Sequence, residues 1–391
     1  MAITRLLILG GSFAGLEAAC TARRLLGQRA RITLIDRSGT FVFRPALPWV
    51  VFGERAPNQV TLSLPRILAA WGVEFVQDDV ESLEPDAGHV WGRRGRYAYD
   101  YLIIALGASS PPKAPPGGGR CFVPIWLEES VRLREAVRAF RGGHVVVALH
   151  PRSPLACPAY EFIFQAAAFF ARQGLGERCR LTLVTYEDDP YAVGGTAATR
   201  TARRWLAQSG IRVLTRTFIE DVAPGRAVLG DGYELPADLL IVLPAYQGSL
   251  FLRQVPYLTD AEGFVVTDPS MRSRAYVNVF AAGDCVAFPG PKTGLMAEQQ
   301  AQVAVANIAA DLGLARPRHY RSLVACLVDL GPGRGLLSVR QPAPQQGRVR
   351  TRLFMAGPLP RWAKFMLERY YVRYRLGKTH DAGAGARRRQ L

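Results

Sequence analysis

Glycine is missing from one turn where its presence would be decisive. The chain has 391 residues and 38 glycines, yet none falls in the turn that directly follows the strand pattern His144–Leu149. That strand runs on as His150-Pro151-Arg152-Ser153-Pro154-Leu155-Ala156-Cys157-Pro158. Three prolines remove N–H donors and stiffen the turn, so a pyrophosphate has no ordinary backbone cradle there. The six cysteines show no CxxC and no zinc spacing, which argues against a metal centre. They are too sparse for a secreted disulfide framework. No segment offers about 18 uncharged apolar residues, so no membrane-spanning helix is expected. Acidic residues are short as well: 32 Asp and Glu stand against 49 Lys and Arg, a net charge of +17. Such a balance suits polyanionic surfaces. No reader motif accompanies it, so nucleic acid is not an expected partner.

What is present begins with a strand rather than a signal peptide. Residues 5–9 read as a buried strand, 16–26 as a helix ended by Gly27, and 31–35 as a second strand ending at Asp36. Between strand and helix lies Gly10-Gly11-Ser12-Phe13-Ala14-Gly15. This order is a βαβ dinucleotide unit: the turn exposes N–H groups, the helix end is partially positive, and Asp36 is placed to accept ribose hydroxyls. Ser12 stands where the second glycine is usual, and it keeps its backbone N–H.

A second βαβ unit opens near residue 144, with its next strand at 179–185. Pro111–Gly119 reads as a crossover linker, 277–281 as a strand before Gly283-Asp284, and 293–312 as a helix. Residues 316–350 look strand-rich. Residues 359–377 form a basic, aromatic helix pattern. The expected fold class is α/β. Two Rossmann-like domains, 1–110 with 270–315 and 111–269, precede a small C-terminal region, 316–391.

Ala105-Leu106-Gly107 and Phe280-Ala281-Ala282-Gly283-Asp284 favour FAD over NAD in the first unit. The latter resembles the second FAD motif of two-dinucleotide-fold flavoproteins, where the Asp binds the ribityl chain. A helix starting at Thr293 would then point its positive end at the flavin ring.

Longer stretches resemble the sulfide:quinone oxidoreductases over nearly the whole chain. Cys157-Pro158-Ala159-Tyr160-Glu161-Phe162 looks like that family's first redox cysteine with its Tyr-Glu pair, although the intervening loop is shorter here. Pro291-Lys292-Thr293-Gly294 and Val324-Ala325-Cys326-Leu327-Val328-Asp329 look like its later motifs. Cys121 falls where some members carry a third cysteine. The resemblance implies catalytic Cys157 and Cys326, with Glu161 as a general base and Cys121 in support. It implies FAD held by Gly10, Gly11, Ser12, Phe13, Ala14, Gly15, Asp36, Arg37, Arg44, Val80, Ala105, Gly107, Gly283, Asp284, Lys292 and Thr293. Sulfide would open a bridge between the two cysteines, leaving sulfane sulfur on one and two electrons on FAD. Lys292 would help to lower a thiol pKa.

Membrane quinone would take the electrons. Trp362, Phe365, Met366 and Tyr370 share one face of the C-terminal helix pattern, ringed by Arg361, Lys364, Arg369, Arg373 and Arg375. That reads as an interfacial helix on anionic lipid at the cytoplasmic face of an inner membrane. Three alternatives stay open: a helix packed on its own core, a type II NADH:quinone oxidoreductase, and a redox-inactive FAD-binding protein with structural cysteines. A homo-oligomer is also open.

Overall fold

The computed structural model describes residues 3–109, 121–154, 156–288, 290–342 and 349–376. The 111–119 linker and the 387–389 arginines lie outside the described residues. The first sheet is built from β1 (Thr4–Leu9), β2 (Ala30–Asp36), β3 (Glu74–Gln77), β4 (Tyr101–Ile104) and, from much later in the chain, a strand at Val279–Ala281. Its order is Val279–Ala281, β4, β1, β2, β3, and all neighbours are parallel. Leu6, Leu7, Ile8 and Leu9 are all buried, as a central parallel strand covered on both faces requires. The chain leaves β1 into α1 (Phe13–Leu26) at the point where neighbours lie on both sides, the position where α/β sheets bind ligands.

The second sheet has the same plan. It uses β5 (Cys121–Phe122), β6 (Gly143–Leu149), β7 (Cys179–Thr185), β8 (Arg212–Leu214) and β9 (Leu239–Leu243) in the order β5-β9-β6-β7-β8. Its first crossover is α2 (Cys157–Arg172), which begins at the cysteine itself. Proline is tolerated in a helix's first turn, where its missing N–H would have no partner anyway, so Pro158 starts α2 instead of breaking it.

After the returning strand, β10 (Val279–Ala281), comes α3 (Gly294–Asp311), which packs along α1. An antiparallel sheet follows: β11 (Val324–Asp329), β12 (Gly335–Pro342) and β13 (Val349–Gly357). Then comes α4 (Pro358–Arg369), continued by a wider helical turn over Tyr370–Arg375. Among the described residues, no helix is long and apolar enough to cross a membrane.

The inner face of α4 departs from the amphipathic reading. Phe365 does not share the outward face; it stacks flat on buried Trp49, with centroids 4.4 Å apart. Lys364 is buried against Glu161, Arg361 pairs with Asp329 at 2.9 Å, and Arg375 pairs with Glu17 and Glu298. Those cations neutralise the protein's own carboxylates. What faces outward is Leu359, Trp362, Met366, Leu367 and Tyr370, beside exposed Arg369 and Arg373.

Candidate functional site

The glycine turn forms a cradle that side chains would fill. Gly10 has φ +101, and a Cβ there would sit 2.3 Å from the Ala105 carbonyl oxygen. A Cβ on Gly15 would fall 1.7 Å from the Gly10 oxygen, a clash with backbone that no side-chain rotation relieves. Gly15→Ala is therefore expected to purify colourless, its flavin absorbance a small fraction of wild type. Yellow Gly15→Ala protein at full flavin occupancy would refute this reading of the turn.

Asp36 orders the cradle from below. Its Oδ2 accepts the Gly11 N–H at 2.6 Å and its Oδ1 accepts the Ser38 N–H at 2.6 Å. Burial still raises its pKa above the ordinary carboxylate range. Ser12 is the N-cap of α1, and its side chain caps nothing. Two helix ends converge here. Gly283 lies against Ala14, and Gly294, the first residue of α3, lies against the Phe13 ring. Thr293 caps α3 by accepting the Met296 N–H at 3.1 Å. Phe13 packs on Phe41, Phe43 and Tyr371. Gly107 takes φ +73 in the loop beyond β4.

Charge gathers beside the Gly283 turn. Burial raises the Asp284 pKa, opposed by Lys292 and Arg44. Arg44 also lies over the Trp126 ring at 4.4 Å. The Lys292 ammonium donates to the Asp284 and Val286 carbonyls at 2.8 and 2.6 Å and lies over the Phe264 ring. Lys292 thus shapes the flavin-side loop. Among the described residues none of its contacts reaches Cys157, so its expected help to that thiol is not seen. Its backbone N–H does reach the Pro154 carbonyl at 3.2 Å, tying this loop to the one before Cys157. Arg37 is exposed, and Val80 packs half-buried against the core that holds Leu9 and Ile35.

The second constellation is a pair of sulfurs. Cys157 opens α2 and Cys326 lies in β11 opposite Ser338. The fold brings their thiols into contact inside one core. All six cysteines are free and buried. The Cys326 contact, and then burial, push the Cys157 thiol well above its ordinary value, while the Tyr191 hydroxyl works the other way. Cys121 is not part of the pair. From β5 it turns into the opposite core with Val146 and Leu240, while Phe122 takes the face toward the pair. Burial pushes the Cys121 thiol up to about 12.

Glu161 lies one turn along α2 from Cys157. Its Oε1 accepts from Lys364 of α4 and from the Asp329 N–H, the latter at 2.7 Å. Burial raises its pKa, and Lys364 opposes that. Asp329 is fully buried and joins the same network: it accepts from Trp49 Nε1 at 2.8 Å and from Arg361 Nε at 2.9 Å. Sequence reasoning quoted Asp329 without giving it a role and missed Tyr191 altogether. Neither residue stands in a spacing pattern that would have exposed it.

The sequence matches the pyridine nucleotide-disulphide oxidoreductase family over residues 4–147 and 164–307. It is 31% identical to the mitochondrial sulfide:quinone oxidoreductase of Schizosaccharomyces pombe over 393 residues, covering 91% of this chain and 85% of that one. The chain belongs to this family. It is also 27% identical to the sulfide-quinone reductase of Aquifex aeolicus, over 93% of this chain and 89% of the relative. The crystal structure of the Aquifex aeolicus sulfide:quinone oxidoreductase superposes with a TM-score of 0.88 at 24% identity, covering 96% of this chain and 92% of that one. That likeness shows a shared two-domain α/β fold. Members of the family are FAD-dependent flavoproteins, and the glycine cradle fits that cofactor: Gly10, Gly11 and Gly15 leave no room for a Cβ in a turn where two helix N-termini meet.

Proposed function

We propose that this chain oxidises sulfide at the Cys157–Cys326 pair and delivers two electrons through FAD to quinone at a membrane surface. The observation that carries this reading is the meeting of the two buried thiols, one from α2 and one from β11. The relatives' names for sulfide and quinone support it.

Bound FAD supplies the two-electron relay between sulfur and quinone. The chain's residues do the rest. Backbone N–H groups of the glycine turn and the N-terminus of α1 would offer partial positive charge to a pyrophosphate, and the N-terminus of α3 would offer it to the ring. Arg44, Asp284 and Lys292, which cluster beside the Gly283 turn, would hold the ribityl chain of that cofactor. When Cys157 and Cys326 are bridged, hydrosulfide adds to one sulfur and the S–S bond breaks. One cysteine becomes a persulfide. The other leaves as a thiolate that keeps the electron pair of the broken S–S bond; a new bond from that thiolate to the persulfide sulfur would lengthen the bridge by one sulfur and release a proton and two electrons, which bound FAD would accept. Burial keeps water from competing with hydrosulfide. Glu161 would take the proton of hydrogen sulfide through Oε2, since Oε1 is already engaged.

The deciding experiment is anaerobic addition of sulfide or NADH with the flavin absorbance followed. Sulfide is expected to bleach the flavin and NADH to leave it oxidised. Bleaching by NADH alone would replace this reading with NADH oxidation.

Membrane contact falls to the outer face of α4, on the cytoplasmic side of an inner membrane. Because Arg361, Lys364 and Arg375 are engaged internally, attachment rests more on apolar insertion than on charge. Burying a large apolar side chain is worth about 1.5–3 kcal/mol. Trp362→Ser/Met366→Ser should therefore cut co-sedimentation with zwitterionic lipid vesicles by about tenfold or more, and high salt should matter little. Wild-type binding that vanishes in high salt would restore the electrostatic account.

A further inference from the structure

We propose that Tyr191 is a catalytic residue of the sulfur pair, its hydroxyl being the hydrogen-bond donor that holds negative charge on Cys157. This rests on the function proposed above and extends it to a residue outside the quoted motifs.

Tyr191 is fully buried in the core that contains Cys157 and Cys326. Among the described residues its hydroxyl has no hydrogen-bond partner. A buried hydroxyl without such a partner is costly and asks for an explanation. The ionisable groups that act on it are Cys157 and Cys326, which share its core. A thiol is a weak acceptor and a thiolate a strong one, so the contact gains most once Cys157 is charged.

The surroundings hold this side chain on purpose-built supports. Tyr191 has φ +64, a left-handed conformation unusual for a residue with a bulky side chain. Its N–H donates to the Tyr160 hydroxyl at 2.5 Å, and that hydroxyl donates to Glu187 at 2.5 Å. Glu187 also receives the Ala192 N–H at 2.9 Å. The two tyrosine rings meet edge to face, with centroids 5.0 Å apart. A Cβ on Gly194 would lie 2.6 Å from the Tyr191 ring, so the turn closes on it tightly. Ser338, the cross-strand neighbour of Cys326, donates to the Gly194 carbonyl at 2.8 Å. Strain of this kind persists only where neighbours over-determine it, and it clusters at functional sites. The other ionisable groups facing Cys157 are Cys326 from β11 and Glu161 from α2, the latter paired with Lys364 of α4. Of these groups and Tyr191, only the tyrosine brings a hydroxyl proton with no other acceptor, free to be donated once Cys157 is charged.

The test titrates thiolate ultraviolet absorbance in the reduced, anaerobic holoenzyme, with Cys157→Ser as the blank. Tyr191→Phe is expected to move the Cys157 titration upward by about one pH unit and to slow flavin bleaching by sulfide about tenfold. Thermal stability and bound flavin should stay as in wild type. 3-Fluorotyrosine in place of Tyr191 has nearly the same shape and is a stronger donor. It is expected to move the titration downward, which keeps the test valid if the phenyl ring disturbs packing. An unchanged titration in both proteins would overturn the proposal. Normal sulfide bleaching in Cys157→Ser and Cys326→Ser would instead sink the sulfide reading, whatever Tyr191 does.

Discussion

Cys326→Ser should abolish bleaching of the flavin by sulfide while leaving the protein yellow. The expected loss in rate is roughly 10³-fold or more, the scale seen when a nucleophile is removed from a unit that works together. Serine cannot form the bridge that hydrosulfide opens, and its hydroxyl cannot hold sulfane sulfur. Flavin should be retained because the glycine cradle is built on the core around β1 and α1, and Cys326 belongs to the core around α2 and β6. The hydroxyl enters an apolar site, so stability should fall by about 1–3 kcal/mol. Stopped-flow absorbance after anaerobic mixing gives the rate, and a thermal melt gives the stability. A rate within a few-fold of wild type would remove Cys326 from the chemistry.

Lys364→Met should be the most destabilising change on α4. Lys364 and Glu161 are each only 4–5% exposed at their side chains. Removing the cation leaves a buried carboxylate with one backbone N–H at Oε1, a situation that costs about 3–5 kcal/mol. Methionine fills nearly the same volume over the Trp49 ring, so the loss reports charge rather than a cavity. The melting temperature should drop by roughly 5 °C. Adding Glu161→Gln should recover much of that, because the uncompensated charge is then gone. A double variant no more stable than Lys364→Met would mean that packing, and not the ion pair, holds α4 in place.

The sequence legible from one end of a strand to the other was the first dinucleotide unit. A run of buried Leu and Ile, a glycine turn, a helix and a terminal Asp36 are local signals, and β1, α1 and β2 lie within a few residues of where they are expected. α3 was equally plain, at Gly294–Asp311 against an expected 293–312. The start of α2 was harder, because Pro154 and Pro158 argue for a loop and only the first-turn exception admits a helix at Cys157. The contact between Cys157 and Cys326 could be suspected only through resemblance, since pairing across the fold leaves no periodicity. The same limit applies to Cys121, whose side of the sheet is set by strand register. The charges of α4 misled for a related reason. A lysine on an amphipathic pattern reads as solvated until its partner is found, and here the partners Glu161, Asp329, Glu17 and Glu298 lie far away in sequence.

One consequence of α4 concerns where this chain could be trimmed. Cutting the chain before Pro358 looks like the simple way to shed a sticky tail. It would also strip the counter-charges from Glu161 and Asp329, which flank the two cysteines, and uncover Trp49. Repainting Leu359, Trp362 and Met366 with polar side chains leaves those inner contacts whole. The segment is better regarded as the cover plate of the sulfur chamber, with its outer surface open to redesign and its inner surface not.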